Sequence, residues 1–184
     1  MSTEGAPLSE VAIKNEIGVL YDAEKKKAFD AAATEGAYGP DHPHAAYYRG
    51  VLDDARADLE FPLHAAAKRG DVDAITRLLD DGAEVDRANE NGITALFFAC
   101  MHGHVDAARL LLEKGADVHH RVNSGHTCLN VACCCDHIAV VQLLLDNGAD
   151  LNVADNDGDT PMANAKTEGH TAIVKLLEKY ASDS

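Results

Sequence analysis

The sequence predicts an all-α solenoid, a curved array of stacked helix–turn–helix–loop units with a helical cap at its N-terminal side. Three observations carry that prediction. The quartets Phe61-Pro62-Leu63-His64, Thr94-Ala95-Leu96-Phe97, Thr127-Cys128-Leu129-Asn130 and Thr160-Pro161-Met162-Ala163 begin 33 residues apart. Gly70, Gly103, Asp136 and Gly169 follow with the same period, as do Gly82-Ala83, Gly115-Ala116 and Gly148-Ala149. An apolar helical stripe recurs between these markers each time. A constant period of this length is the mark of units that bury their apolar sides against one another.

In chain order, the first predicted element is a helix over about 8–26. Ile13, Ile17 and Leu20 form a modest apolar stripe opposite Lys14, Glu16, Lys25 and Lys26. Such a helix serves as the cap that covers the otherwise bare apolar edge of a terminal repeat, or alternatively as a partner-binding or dimerising element. Next comes a degenerate repeat at about 27–57. Ala31-Ala32-Ala33-Thr34-Glu35-Gly36 parallels Ala65-Ala66-Ala67-Lys68-Arg69-Gly70, and Val51-Leu52-Asp53-Asp54-Ala55 parallels Leu78-Leu79-Asp80-Asp81-Gly82. Tyr38 to His44, rich in Gly and Pro, is an inserted loop between its two helices.

The four clear units span 56–88, 89–121, 122–154 and 155–184, after an N-terminal region over 1–55. Thr94, Thr127 and Thr160 are placed to cap first helices through their hydroxyls, and Pro161 sits at a first helical position, where its missing N–H costs nothing. Ala65-Ala66-Ala67, Ala99-Cys100 and Ala132-Cys133 are small enough for neighbouring helices to approach closely. The second helices present Ile75, Leu78 and Leu79; Ala108, Leu110, Leu111 and Leu112; Val140, Val141, Leu143, Leu144 and Leu145; and Ile173, Val174, Leu176 and Leu177. Gly82, Gly115 and Gly148 fall where a left-handed C-terminal cap favours glycine.

Composition bounds the function. With 16 Lys plus Arg against 31 Asp plus Glu, the net charge of −15 opposes binding to nucleic acid or anionic membranes and favours a protein partner with a basic or neutral contact surface. No stretch approaches the roughly 18 apolar residues of a membrane helix. Five cysteines, three of them consecutive at 133–135, and an N-terminus without a secretion signal argue for reduced thiols and a cytoplasmic protein, the nucleus left open. Neither a G-x-S-x-G, a P-loop nor an H-E-x-x-H pattern occurs. The expectation is a monomeric, non-enzymatic binding protein without a cofactor or catalytic residues.

Residues 91–120 and 124–152 match nearly the whole pattern of the ankyrin-repeat family, which this chain therefore resembles over about 56–180. The departures are Phe97, Asn130 and Ala163 in the slot that His64 fills, and Asp136 in place of a glycine. The resemblance implies an ankyrin-repeat α-solenoid acting as an adaptor or scaffold, with a partner held on the concave face by first helices and loop tips. The family's variable helical positions correspond to Lys68, Arg69, Met101, His102, Cys134, Cys135, Thr167 and Glu168. Its loop tips correspond to Glu90, Asn91, Ile93, Asn123, Ser124, His126, Asn156, Asp157 and Asp159. This track runs from basic at Lys68-Arg69 to acidic at Asp155, Asp157, Asp159 and Glu168. Phe98 is the candidate aromatic anchor, with packing inside the array as its alternative role, while Phe97 is expected to be buried. The stretch Leu145 to Asn152 also resembles asparagine-hydroxylation acceptors of some ankyrin repeats, with Asn152 as the candidate acceptor.

A second class of function comes from the concentration of His102, His119, His120, His126, Cys128, Cys134, Cys135 and His137, a metal- or redox-responsive cluster around 100–137. Its spacing is poor for zinc, which needs four ligands converging tetrahedrally. His104, His137 and His170 hold one register position and read as structural. Cys100 and Cys133 read as core packing, leaving Cys134 and Cys135 as the candidate reactive thiols.

Overall fold

The computed structural model describes residues 60–183. The expected cap over 8–26, the degenerate repeat over 27–57 and its inserted loop lie outside the described residues. From Pro62 onward the chain forms one unit. Its helices are α1 (Pro62–Arg69), α2 (Val72–Asp80), α3 (Ala95–Met101), α4 (Val105–Glu113), α5 (Cys128–Cys134), α6 (Ile138–Asp146), α7 (Pro161–Thr167) and α8 (Thr171–Asp183).

The threonines start the first helices as anticipated. Thr94, Thr127 and Thr160 have extended backbones, and their Oγ1 atoms accept the N–H groups of Phe97, Asn130 and Ala163 at 3.4, 3.3 and 3.2 Å. The second helices begin in two ways. Asp71 caps α2 with its own carboxylate, which accepts the Ala74 N–H at 2.9 Å. His104 and His137 make no such cap on α4 and α6. Their rings instead reach back across the joint to the preceding repeat.

First helices pack in series, α1 on α3, α3 on α5 and α5 on α7, and second helices do likewise behind them. Between the two layers lies one continuous apolar core. Fully enclosed Ala66, Ala67, Ala99, Cys100, Ala132, Cys133 and Ala165 bring the first helices close, while Ile75, Leu96, Leu111, Leu129, Leu144, Ile173 and Leu177 fill the space between layers. The expected second-helix stripes are not uniformly enclosed: Leu78, Leu79, Leu110, Leu112, Val174 and Leu176 are half-buried. Apolar periodicity locates a helix face but not its depth, and residues at the stripe's margin reach the surface. Ile138, 43% exposed at the start of α6, is the large apolar side chain most open to solvent among the described residues.

Candidate partner-binding surface

The surface made by first helices and loop tips is held by two ladders of hydrogen bonds. In the first, Nε2 of His104, His137 and His170 lies 3.1, 3.1 and 2.9 Å from the carbonyl oxygens of Lys68, Met101 and Cys134. A carbonyl only accepts, so each ring carries its proton on Nε2. Each histidine thereby pins the end of the preceding first helix, the segment that carries the pairs Lys68-Arg69, Met101-His102 and Cys134-Cys135, of which Met101 and Cys134 are half-buried and the others exposed. At the first two joints the ring sits directly on a glycine. A Cβ on Gly70 or Gly103 would meet the His104 or His137 ring at 2.6 Å, and both glycines have positive φ. At the third joint Asp136 occupies this position with φ 59°, and its carboxylate lies 3.5 Å from Nδ1 of His170.

The second ladder joins the loop tips. Each tip is a small hairpin closed by a backbone bond from Asn89 N–H to Ile93 C=O, Val122 to His126 and Asp155 to Asp159, all at 3.0 Å, with the tip glycine N–H bonding back to the first residue's carbonyl. Neighbouring tips are then sewn together. The Asn123 N–H donates to the Asn91 carbonyl at 3.0 Å, and its Nδ2 donates to that of Glu90 at 2.9 Å. Asn156 repeats this one unit later, its N–H donating to Ser124 at 3.1 Å and its Nδ2 to Asn123 at 2.9 Å. The carboxamides of Asn123 and Asn156, which the family pattern marks for a partner, are thus engaged in holding the tips in register.

One residue of the expected acidic track is corrected. Asp155 does not stand on the surface: its side chain is 3% exposed. Its Oδ1 accepts the N–H groups of Asp157 and Asp159, both at 2.9 Å, and Oδ2 meets Nε2 of His126 at 3.2 Å. The hydrogen bond from the Asp159 backbone is the main cause holding this carboxyl below the usual range, assisted by Asp157, His126 and Gly158 against the opposing effect of burial. Asn89 does the same work in its tip, with Oδ1 accepting from Asn91 and Ile93. A short acceptor at this register position shapes the turn. Val122, which has none, is buried instead, and its tip carries an antiparallel bridge between Arg121 and Thr127.

The remaining track residues divide by exposure. Lys68, Arg69, Glu90, Asn91, His102, Ser124, Cys135, Asp157, Asp159, Thr167 and Glu168 are exposed; Ile93, Phe98, Met101, His126 and Cys134 are half-buried. Phe97 is buried as expected. Phe98 stands edge-on to the ring of His64, centroids 5.7 Å apart at 77°. Burial pushes the His64 imidazole below its ordinary value, against backbone hydrogen bonds at Ile93 and Arg87. Val131, one period after Phe98, is also half-buried and continues the apolar strip. The reading by variable positions passes over it, although adding one period to Phe98 finds it.

Asn130 has a larger role than its place as a departure suggests. Fully buried, it completes a capping box with Thr127, whose N–H and Oγ1 donate to Oδ1 at 3.0 and 2.7 Å; its Nδ2 donates to the Asp159 carbonyl at 3.3 Å. One amide therefore caps its own helix and ties it to the next tip. Asn152 is exposed in the turn after α6, with its N–H donating to the Asp150 carboxylate at 2.8 Å.

The described histidines and cysteines do not assemble a metal centre. Among the described residues, no group of three or more His, Cys, Asp or Glu side chains converges as a cation requires. All five cysteines are free thiols. Burial pushes Cys133 up to about 12 and raises Cys100 as well, the latter reinforced by the neighbouring Cys128 thiol. Cys134 and Cys135 are raised by burial too, with Glu168 adding to the effect at Cys134. Nucleophilic cysteines need the opposite shift.

Comparison with known proteins agrees with this geometry. No curated protein matched the chain. The family described as "Ankyrin repeats (many copies)" matches it over 63–112, 96–145 and 134–178. Those three overlapping segments cover the helices that carry both ladders, and the chain belongs to the ankyrin-repeat family.

Proposed function

We propose that this protein is an adaptor or scaffold that holds another protein on the face formed by its first helices and loop tips. Ankyrin repeats are generic protein–protein interaction modules. The observation that carries the proposal here is the half-buried strip of Phe98, Met101 and Val131, set on a backbone that both ladders hold fixed. A preorganised apolar strip with a polar border has the anatomy of a binding hot spot and its rim. The proposal takes the protein as a cytoplasmic monomer without catalytic activity, acting on a partner with a basic or neutral contact surface rather than on nucleic acid. Among the described residues, no helix is long and apolar enough to cross a membrane.

The test is an affinity pull-down from matched cell lysate, comparing wild type with a variant carrying Phe98→Ala, Met101→Ala and His102→Ala. A protein retained by wild type alone supports the reading, and Phe98→Ala by itself should then cost more than about 1 kcal/mol of binding. Equal retention by both proteins, with unchanged thermal stability, counts against this face. Asn152 is the proposed hydroxylation acceptor on the strength of its exposed turn; an intact mass of cell-derived protein with no added oxygen removes that assignment.

A further inference from the structure

The first-helix face has opposite electrostatic character at its two ends, and that order constrains what lies along it. This inference rests on the binding role proposed above. Lys68 stands exposed at the end of α1. Arg69 beside it is exposed as well, so the end of α1 presents two basic side chains, and the Lys68 charge is one influence, after burial and the His104 ring, holding the His102 imidazole below its ordinary value. One repeat further on the sign changes. The Cys134 thiol is pushed up by burial and then by the charge of Glu168, with Asp155 and Asp159 contributing. Asp155 is enclosed and paired with His126, which leaves Glu168, Asp159 and the neighbouring Asp157 as exposed carboxylates at that end. Between the two ends lie half-buried Phe98, Met101 and Val131.

We infer that this face takes a linear polypeptide segment whose apolar side chain seats over Phe98, Met101 and Val131, with Lys or Arg lying toward repeat 4 and a carboxylate toward repeat 1. The net charge of −15 favours a basic occupant. The apolar strip, however, requires more than charge, so a simple polyamine does not satisfy it. Spacing follows from the repeat. Packed helices lie roughly 8–10 Å apart, and an extended chain advances about 3.3 Å per residue. Each repeat therefore corresponds to about three residues of the occupant. The basic residue should fall about three to six positions from the apolar anchor, and the acidic one about three positions from it on the other side.

The probe is a random dodecapeptide library displayed on phage and selected against the full-length chain. The enriched peptides should share an apolar residue with Lys or Arg at that spacing. A synthetic peptide from the pool, followed by fluorescence anisotropy, should bind about tenfold more weakly to a variant carrying Asp159→Lys and Glu168→Lys. Wild-type binding should also weaken as ionic strength rises from about 0.05 to 0.5 M, a readout that needs no variant to fold. Binding lost with Phe98→Ala and Met101→Ala but indifferent to charge reversal and salt would overturn the polarity while leaving the binding face in place. Binding indifferent to Phe98→Ala and Met101→Ala would overturn the face itself. An empty selection, or enriched peptides without a basic position, would overturn the inference of a linear basic segment.

Discussion

The joint between repeats 2 and 3 and the joint between repeats 3 and 4 share a backbone plan but are sealed by different chemistry. Both have a histidine reaching back to a carbonyl and an asparagine tying two tips. At the first, the space behind these bonds is filled by Cys100, Cys128 and Val122, all buried, and the His137 ring lies flush on Gly103. At the second, Asn130 reaches the Asp159 carbonyl, His126 pairs with the enclosed Asp155, His170 faces Asp136, and Tyr180 bonds Asp146 and Gln142. The recurring residues set the register between repeats, whereas the interchangeable ones decide how a joint fails. An apolar joint fails by a cavity. A polar joint fails by leaving a buried group without its partner.

Leu111→Ala has the largest expected effect, since this fully buried side chain fills α4 beside the apolar joint. It should destabilise the fold by about 2–5 kcal/mol, measured by urea unfolding. A cost under about 1 kcal/mol would mean that the small residues around it collapse into the gap. Asn130→Ala probes the polar joint. It removes the reciprocal cap on α5 and abandons the Asp159 carbonyl, and should cost about 1–3 kcal/mol. If Asn130→Ala proved neutral, the polar seal would be ornament on an apolar one and the contrast would fail.

Acid separates His64, at the joint between repeats 1 and 2, from Asp155, at the joint between repeats 3 and 4, without mutation. His64 is held below its ordinary value in the fold, so between the folded and unfolded values the unfolded chain binds more protons. Stability from this group is present above about pH 6.5 and falls as the pH drops through that value. Asp155 is also lowered, but as a carboxyl: its contribution is present above about pH 3.8 and is lost only in stronger acid. Thermal midpoints between pH 7.5 and 5.5 should therefore fall more for wild type than for His64→Gln. The same fall in both would show that His64 is not the group responsible.

Most of the fold was legible because the repeats solve the same local problems with largely the same residue types, Phe61 and Asp136 being departures. Threonine starts a first helix, glycine turns the chain, and a 33-residue period places both. The exposed members of the candidate surface, such as Lys68, His102 and Glu168, follow from that period as well. What the sequence concealed are bonds between positions one period apart. Asp155 and Asp157 read alike as acidic loop residues, yet one is enclosed by the N–H groups that shape the turn and the other is exposed. Asn123 and Asn156 look free because the carbonyls they reach belong to the preceding tip. Val131 is marked by no variable family position and emerges only as the residue one period after Phe98.

The smallest expected effect bears on Asp136, which stands where the other three repeats have glycine. Asp136 holds the left-handed conformation that glycine adopts at Gly70 and Gly103. That conformation costs an L-residue roughly 1–2 kcal/mol, toward the low end for aspartate. Replacing it with glycine removes the strain but adds unfolded-chain entropy opposing folding by about 0.4–1 kcal/mol. The lost contact with His170 matters little, since the pair is 3.5 Å apart and the Asp136 side chain is 56% exposed. Asp136→Gly should therefore raise stability by about 0.5 kcal/mol, read as a small upward shift in the urea midpoint at constant slope. A fall instead would show that the Asp136–His170 contact outweighs the backbone term, and would make the third joint polar in its energetics as well as in its composition.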